Sequence, residues 1–182
     1  MTDRTLVLGG ARSGKSAYAE ALLPADAPVT YVATARRDPT DAEWEARIAA
    51  HVARRPPHWE TVEPTDLAAL VTDARAGQIL LVDDLATWLT GVLDDVSAWD
   101  GSAPALAATA RHVDELVASV QRCAVRLVLV SAEVGLGVVP ETRSGRLFRD
   151  ELGSLNARLA KVCDESVLLV AGLPVQLRSQ RR

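Results

Sequence analysis

The chain has 182 residues and 48% hydrophobic content, enough for one packed domain over residues 1–182 and hardly enough for two. Its formal net charge of -4 gives no overall electrostatic attraction to polyanions, although several arginines cluster locally, so we expect neither a nucleic-acid partner nor binding to anionic lipid. No apolar run reaches the roughly 18 residues of a membrane span, and the first residues lack the apolar core of a signal peptide. Cys123 and Cys163 are too far apart in sequence to indicate a zinc site or a disulfide framework, which favours a reducing cytoplasm.

Buried-strand patterns alternate with helical patterns along the chain. Strands are predicted at 5–10, 29–35, 78–84, 126–134 and 166–177, and helices at 41–55, 65–75 and 144–162. Thr65 is the expected N-cap of the second of these helices, and 94–108 is expected to be a loop or a mobile connection. The alternation predicts an α/β fold with a mostly parallel, doubly wound sheet, whose ligand site lies at the carboxyl ends of the strands.

The first predicted strand leads directly into a glycine-rich segment, GGARSGKS, at 9–16. Gly9, Gly14, Lys15 and Ser16 satisfy the spacing G-x-x-x-x-G-K-[ST] of a phosphate-binding P-loop, between a strand and a helix as that motif requires. Glycines let the backbone close around an anion, so that its N–H groups face the phosphates. Lys15 is therefore expected on the terminal phosphates of a nucleoside triphosphate, and the Ser16 hydroxyl on Mg²⁺. A chance glycine-rich turn is the alternative, and the match at all the fixed positions argues against it.

Two acidic residues follow the predicted strand at 78–84. P-loop proteins need a carboxylate at the end of a neighbouring strand to orient the metal ion, directly or through water. The segment ILLVDD supplies Asp83 and Asp84 at such an end, and we expect Asp83 rather than Asp84 to carry the metal role. An aspartate at this place can also be a plain N-cap of the following helix.

Several classes of P-loop protein remain to be distinguished. A GTPase of the switch type is disfavoured, because the chain contains no NKxD-type motif for guanine recognition. A small nucleotide kinase stays open, since Arg143, Arg146 and Arg149 could clamp phosphates, although the same spacing fits a solvated helix face. A binding module that senses a nucleotide without transferring any group also stays open.

A histidine near the end of the first predicted helix is the second candidate for chemistry. In RIAAHVARRPPHWETVE, His51 lies one turn after the apolar Ile48 and just before Arg54 and Arg55, and two prolines then end the helix. Such a histidine is often only a packed or exposed residue. The neighbouring arginines favour a catalytic role for His51, because they could neutralise a triphosphate while a neutral imidazole attacks its α-phosphorus.

The segments GGARSGKS, ATAR, RIAAHVARRPPHWETVE, LVDDLATWLT and EVGLGVVPETRSGRLFRDELGSLNARLA occur in this order over about 4–177. Together they resemble the bifunctional adenosylcobinamide kinase/adenosylcobinamide-phosphate guanylyltransferase family of cobalamin biosynthesis. The P-loop is common to many families, whereas the histidine segment and the EVGLGVVPE loop are distinctive. The chain departs from the family pattern at Asp84, Ala86, Gly91 and Ala132, and none of these positions lies in the P-loop or at His51.

The resemblance implies a RecA-like P-loop NTPase fold, often assembled as a trimer. It implies an enzyme that phosphorylates adenosylcobinamide with ATP or GTP and then transfers GMP from GTP, through a guanylylated His51, to give adenosylcobinamide-GDP. Lys15 is the second catalytic residue, and Ser16, Asp83 and Asp84 are the candidate Mg²⁺ ligands. The implied nucleotide-binding residues are Gly9, Gly10, Ala11, Arg12, Ser13, Gly14, Lys15, Ser16, Thr34, Ala35, Arg36, Val52, Ala53, Arg54, Arg55, Glu63 and Asp83.

Overall fold

A single mixed sheet forms the centre of the fold. A computed structural model describes residues 3–179, apart from the side chains of Arg47 and Arg54. In the described chain the sheet has seven strands in the order β3-β2-β4-β5-β1-β6-β7. Neighbouring strands are parallel except for β6 and β7, which are antiparallel. The strands are β1 (Arg4–Gly9), β2 (Thr30–Ala33), β3 (Glu60–Val62), β4 (Ile79–Asp83), β5 (Arg126–Ala132), β6 (Glu165–Val170) and β7 (Leu173–Ser179).

Helices connect the parallel strands. They are α1 (Lys15–Ala21), α2 (Ala42–Arg54), α3 (Leu67–Thr72), α4 (Leu85–Asp95), α5 (Ala103–Arg122) and α6 (Arg143–Val162), with a short 3₁₀ helix at Ala98–Asp100. Four helices begin after a capping residue whose side-chain oxygen accepts a backbone N–H of the first turn, which satisfies one of the donors that a helix start leaves free. The capping residues are Asp41 for α2, Asp66 for α3, Asp84 for α4 and Thr142 for α6.

Apolar side chains cover both faces of the sheet. Along β1, Leu6 and Leu8 point to one face and Val7 to the other, and all three are buried. The larger cluster, on the Leu6 face, includes buried residues of α3, α4, α5 and α6, and the smaller one, on the Val7 face, includes Ala19 of α1. This two-sided burial explains why the strands appear in the sequence as nearly continuous apolar runs. The α/β, mostly parallel sheet predicted from the sequence is therefore confirmed.

Three local predictions were wrong. The run at 166–177 is not one strand but the β6–β7 hairpin, because Ala171 and Gly172 both adopt positive φ and reverse the chain. Residues 94–108 are not mainly loop, since they contain the 3₁₀ helix and the first residues of α5. The N-cap of α3 is Asp66 rather than Thr65. The short strand β3 was not predicted.

The parallel arrangement brings several chain segments to one edge of the sheet. Gly9, Ala33 and Asp83 end β1, β2 and β4, and Ala33 is paired with Asp83 in the strand register. Because parallel strands all end on the same side, the loops that follow them meet there. No helix within residues 3–179 has the length and apolar composition that crossing a membrane requires.

Candidate active site

The loop between β1 and α1 has the backbone geometry of a phosphate cradle. Gly14 has φ +86° at the start of α1, a conformation that residues with a Cβ rarely adopt. At Gly9 the constraint is space, since an added Cβ would lie 2.3 Å from the Ser13 hydroxyl oxygen. That Ser13 oxygen is buried and makes no hydrogen bond within the described chain. A buried hydroxyl left without a partner fits a loop built to receive an oxygen-rich ligand such as a phosphate.

Two carboxylates follow β4 beside this loop. Asp83 is the last residue of the strand, and its side chain is only 7% exposed. Asp84 is the N-cap of α4 and accepts the Thr87 backbone N–H at 2.9 Å. Burial raises the pKa of the Asp84 carboxyl, and the Thr87 hydrogen bond and the positive charge of Lys15 oppose that rise. The positive charge of Lys15 thus acts on the carboxyl group that follows β4.

Tyr31 of β2 reaches across to the neighbouring strand. Its phenol donates a hydrogen bond of 2.6 Å to Oδ2 of Asp83, and the residue is 1% exposed. Burial and the adjacent Asp83 charge raise the pKa of Tyr31 far above its ordinary value. The phenol therefore keeps its proton and acts as a donor to the carboxylate. Thr34, which follows β2, donates its hydroxyl to the Asp84 carbonyl oxygen at 2.6 Å and ties the same two segments together.

Helix α2 places His51 opposite the strand ends. Nδ1 of His51 lies 3.9 Å from Oδ2 of Asp83, and the imidazole is 42% exposed. The helix ends one turn later, where Arg55 is the C-cap and is followed by two prolines. The Arg55 guanidinium lies 3.3 Å from the centroid of the Tyr31 ring, and its Nη1 donates to Thr61. Such a cation stacked on an aromatic ring keeps most of its hydrogen-bond donors free.

These segments enclose a cavity of about 370 Å³. Of the residues predicted from the sequence, it brings together Arg12, Ser13, Gly14, Lys15, Ser16, Ala35, His51, Arg55, Glu63, Asp83 and Asp84. The predicted residues that do not line it are Gly9, Gly10, Ala11, Thr34, Arg36, Val52 and Ala53. Arg36 instead pairs with the exposed Asp95. The side chain of Arg54 lies outside the described part of the structure.

Other lining residues had no predicted role in the site. They are Ala17, Tyr31, Ala33, Trp44, Ile48 and Thr87. Helix α2 lines the cavity with Trp44, Ile48 and His51, whereas Val52 is 45% exposed. A spacing of four and then three residues gives a signal that could have found this face. Tyr31 had no such signal, because a tyrosine inside a buried strand looks like a core residue.

The three arginines considered as a phosphate clamp do not line the cavity. Arg146 donates to the carbonyl oxygens of Pro140 and Glu141, and Arg149 donates to that of Gly135. They brace the loop that precedes α6. Arg143 lies near Gly101, where an added Cβ would come within 2.7 Å of its guanidinium.

The sequence of the chain is similar to those of known proteins. The family model described as cobinamide kinase / cobinamide phosphate guanyltransferase matches residues 5–177. The chain belongs to this family. Its relatives include the bifunctional adenosylcobalamin biosynthesis protein CobP of Pseudomonas aeruginosa, which is 45% identical and is matched over 97% of this chain and 98% of its own length. The proteins named CobU of Escherichia coli and Salmonella typhimurium are 40% and 42% identical, each over 95% of this chain and 98% of the relative.

A solved structure supports the fold assignment. A prototypical ATPase from the type III secretion system of pathogenic bacteria superposes with a TM-score of 0.57 at 11% identity. The match covers 98% of this chain and 57% of the ATPase chain, so the two share a fold over one part of the longer protein. With the sheet order and the P-loop, this likeness identifies a RecA-like P-loop NTPase fold, as the family resemblance implied.

Proposed function

We propose that this chain carries both activities for which its family is named. It phosphorylates adenosylcobinamide with ATP or GTP, and it then transfers GMP from GTP to the phosphate to give adenosylcobinamide-GDP. The observation that carries the proposal is that one cavity contains Lys15 and Ser16 of the P-loop, the strand-end carboxylate of Asp83, and the imidazole of His51. A kinase needs the first three groups, and the imidazole adds the nitrogen nucleophile that the second reaction requires.

The residues around the P-loop account for the phosphoryl-transfer step. Lys15 and the loop backbone hold the terminal phosphates, and the positive charge of Lys15 stabilises the negative charge that develops as the cobinamide hydroxyl attacks the γ-phosphorus. Phosphoryl transfer of this kind depends mainly on positioning and charge, so a strong general base is not required.

A magnesium ion fits the acids and the hydroxyl in the same cavity. Mg²⁺ typically keeps several waters and binds one or two carboxylates together with substrate phosphates. Ser16, Asp83 and Asp84 all line the cavity and offer this donor set. Across residues 3–179, no group of three His, Cys, Asp or Glu side chains could hold a metal unaided, which fits an ion held jointly with the nucleotide. When bound, Mg²⁺ supplies charge neutralisation at the transferred phosphate.

The two acids can be separated by substitution. We expect Asp83→Asn to weaken Mg²⁺-dependent turnover by about tenfold or more while triphosphate binding changes little, because the metal acts mainly on charge that develops during transfer. The measurement is turnover as a function of Mg²⁺ for Asp83→Asn and Asp84→Asn. A defect confined to Asp84→Asn would move the metal role to that residue, and wild-type behaviour in both would remove the metal assignment.

The imidazole of His51 accounts for the second reaction. A neutral imidazole is a nitrogen nucleophile that can attack the α-phosphorus of GTP, release pyrophosphate and form a phosphoramidate. The phosphate of the corrinoid then takes GMP from that nitrogen. Arg55 lies on the same cavity wall, and its guanidinium can neutralise phosphate charge during both halves of the exchange.

Mass spectrometry of the intact protein after incubation with GTP tests this proposal directly. The expected result is an added GMP that maps to His51, is labile in acid and stable in base. His51→Gln should abolish the adduct, and His58→Gln is the matched control because His58 is exposed and does not line the cavity. A chain that phosphorylates adenosylcobinamide but gains no GMP would be a kinase only. Triphosphate binding without any turnover would indicate a binding module.

We also propose a cytoplasmic homo-oligomer, with a trimer as the expected state. Cys123 and Cys163 are free and buried, as is usual in a reducing compartment. Apolar side chains of Leu173, Val175 and Leu177 on the edge strand β7 are 47–70% exposed, which favours contact with another chain. Sedimentation equilibrium of the purified protein tests the trimer, and a monomer at micromolar concentration would contradict it.

A further inference from the structure

Three side chains from three separate segments meet at one carboxylate oxygen. Oδ2 of Asp83 accepts the Tyr31 phenol at 2.6 Å and lies 3.9 Å from Nδ1 of His51. The phenol and the carboxylate are almost entirely buried, whereas the imidazole is partly open to the cavity. The buried pair thus offers a fixed acceptor to a more accessible ring.

We propose that Asp83 positions His51 by accepting the Nδ1 proton, that Tyr31 holds Asp83 for this task, and that Nε2 of His51 is therefore the nitrogen that takes GMP. The inference rests on the proposed guanylyl transfer. Tyr31 and Asp83 are positioning residues in this reaction, because they act through His51.

The geometry favours one nitrogen over the other. Of the two ring nitrogens, Nδ1 is the one that faces the carboxylate, 3.9 Å from Oδ2 of Asp83, and a proton placed there leaves the lone pair on Nε2. A separation of 3.9 Å exceeds a hydrogen bond, but catalytic hydrogen bonds often tighten only when substrate is bound. The ring is partly exposed, and α2 buries none of the side chains that the structure describes, so His51 can make that adjustment more readily than the buried carboxylate.

The chemical step is balanced with these groups alone. The Nε2 lone pair forms a bond to the α-phosphorus of GTP, and the bond from that phosphorus to the bridging oxygen breaks, so its electron pair leaves with pyrophosphate. The proton on Nδ1 stays between the ring and Asp83, whose negative charge offsets the positive charge that the ring gains. Transfer of GMP to the corrinoid phosphate returns the lone pair to Nε2.

Tyr31 has a second contact that makes its hydroxyl separable from its ring. The ring supports the Arg55 guanidinium, and only the hydroxyl touches Asp83. Tyr31→Phe therefore keeps the packing and the stacked arginine and removes the hydrogen bond alone. The matched control is Tyr18→Phe, since Tyr18 packs against the same apolar cluster but does not line the cavity.

The first measurement is the position of the adduct on the unaltered chain. ¹⁵N-histidine labelling and long-range ¹H–¹⁵N NMR after reaction with GTP should show GMP on Nε2. In the reacted protein the same method should show the proton on Nδ1, with the resonances assigned by comparison with His51→Gln. An adduct on Nδ1 overturns the inference. If the unaltered chain gains no GMP at all, the proposed guanylyl transfer itself fails, and the inference fails with it.

The second measurement is the single-turnover rate of guanylylation. Loss of a hydrogen bond to a buried carboxylate is expected to slow Tyr31→Phe by about tenfold to a hundredfold, with GTP binding within about twofold of the unaltered chain. Tyr18→Phe should react at the unaltered rate. Equal rates in Tyr31→Phe and the unaltered chain would remove Tyr31 from the proposal. The adduct position is read without any substitution, so the assignment to Nε2 can be refuted even if Tyr31→Phe does not fold.

Discussion

Helices α2 and α4 each bring a polar group to the cavity, but they differ in how many side chains they bury. Both begin at an aspartate that accepts the backbone N–H three residues later at 2.9 Å, Asp41 in α2 and Asp84 in α4. Helix α4 then buries Leu85, Leu89 and Leu93 completely. Helix α2 buries no residue among those whose side chains the structure describes.

Because of this difference, we expect the two sides of the site to differ in the free energy of local opening. The free energy of local opening follows the number of buried apolar contacts, so α4 should open only with the whole domain and α2 at lower cost. We therefore expect the carboxylates at the end of β4 to keep their positions and α2, with His51, to move more readily. Such a division suits the two reactions proposed for this cavity, because the nucleophile must be near the α-phosphorus in one of them only.

The largest expected effect concerns α2 alone. His51→Ala should abolish GMP transfer, because the imidazole nitrogen that binds GMP covalently is removed. Phosphorylation of adenosylcobinamide should stay within about twofold of the unaltered rate. The measurement is formation of both products by the same preparation. His112→Ala is the control, since His112 lies on α5 away from the cavity. Formation of adenosylcobinamide-GDP at the unaltered rate would make His51 a structural residue, and α2 would then not carry the nucleophile.

The next effect should reach both reactions. Lys15→Ala removes the cation at the start of α1 and should lower phosphorylation and GMP transfer by about 10²-fold or more. Steady-state rates for both products check this. Normal GMP transfer in Lys15→Ala would mean that the two reactions bind their triphosphates differently, which contradicts the shared cavity.

A third prediction tests the anchoring itself. Leu89→Ala in α4 should lower the free energy of unfolding by about 2–5 kcal/mol, because a fully buried leucine is replaced by a cavity. Val52→Ala in α2 should change it by less than about 0.5 kcal/mol, since Val52 is 45% exposed. Urea unfolding of both variants gives the two values. A large loss in Val52→Ala would contradict the weak anchoring of α2.

The sequence predicted those parts of the site that are contiguous in the chain. The P-loop is a local motif, and its glycines at 9 and 14 are required by space and by φ within the same few residues. Asp83 was found because an acid at the end of an apolar run is visible without knowledge of the fold. His51 was selected from its helical context and from the family resemblance rather than from any contact.

The role of Tyr31 could not be predicted, because it depends on strand order. Only the adjacency of β2 and β4 brings its phenol to Asp83, and no periodicity in the chain encodes that pairing. The cis peptide bond between Asp83 and Asp84 likewise has no sequence signal. The β6–β7 hairpin was missed because its reversal occupies just Ala171 and Gly172 inside an otherwise apolar run.

The smallest expected effect separates the two capping aspartates. Burial raises the folded-state pKa of Asp84 above its unfolded value, so the folded chain binds this proton more tightly than the unfolded chain does. The corresponding stability is present below the unfolded pKa and is lost as the pH rises through the folded one. At neutral pH the buried charge therefore destabilises the fold.

Asp84→Asn keeps an oxygen for the Thr87 N–H and removes that charge, so its Tm should exceed that of the unaltered chain by about 2 °C near neutral pH. Well below the ordinary aspartate pKa of about 3.9 the difference should vanish, because the carboxyl is then protonated in both states. Asp41→Asn makes the same change in the exposed cap of α2 and should leave Tm unaltered at either pH. Calorimetry of the three proteins at both pH values decides. Equal Tm changes in the two variants at neutral pH would mean that the α4 cap is no more desolvated than the α2 cap.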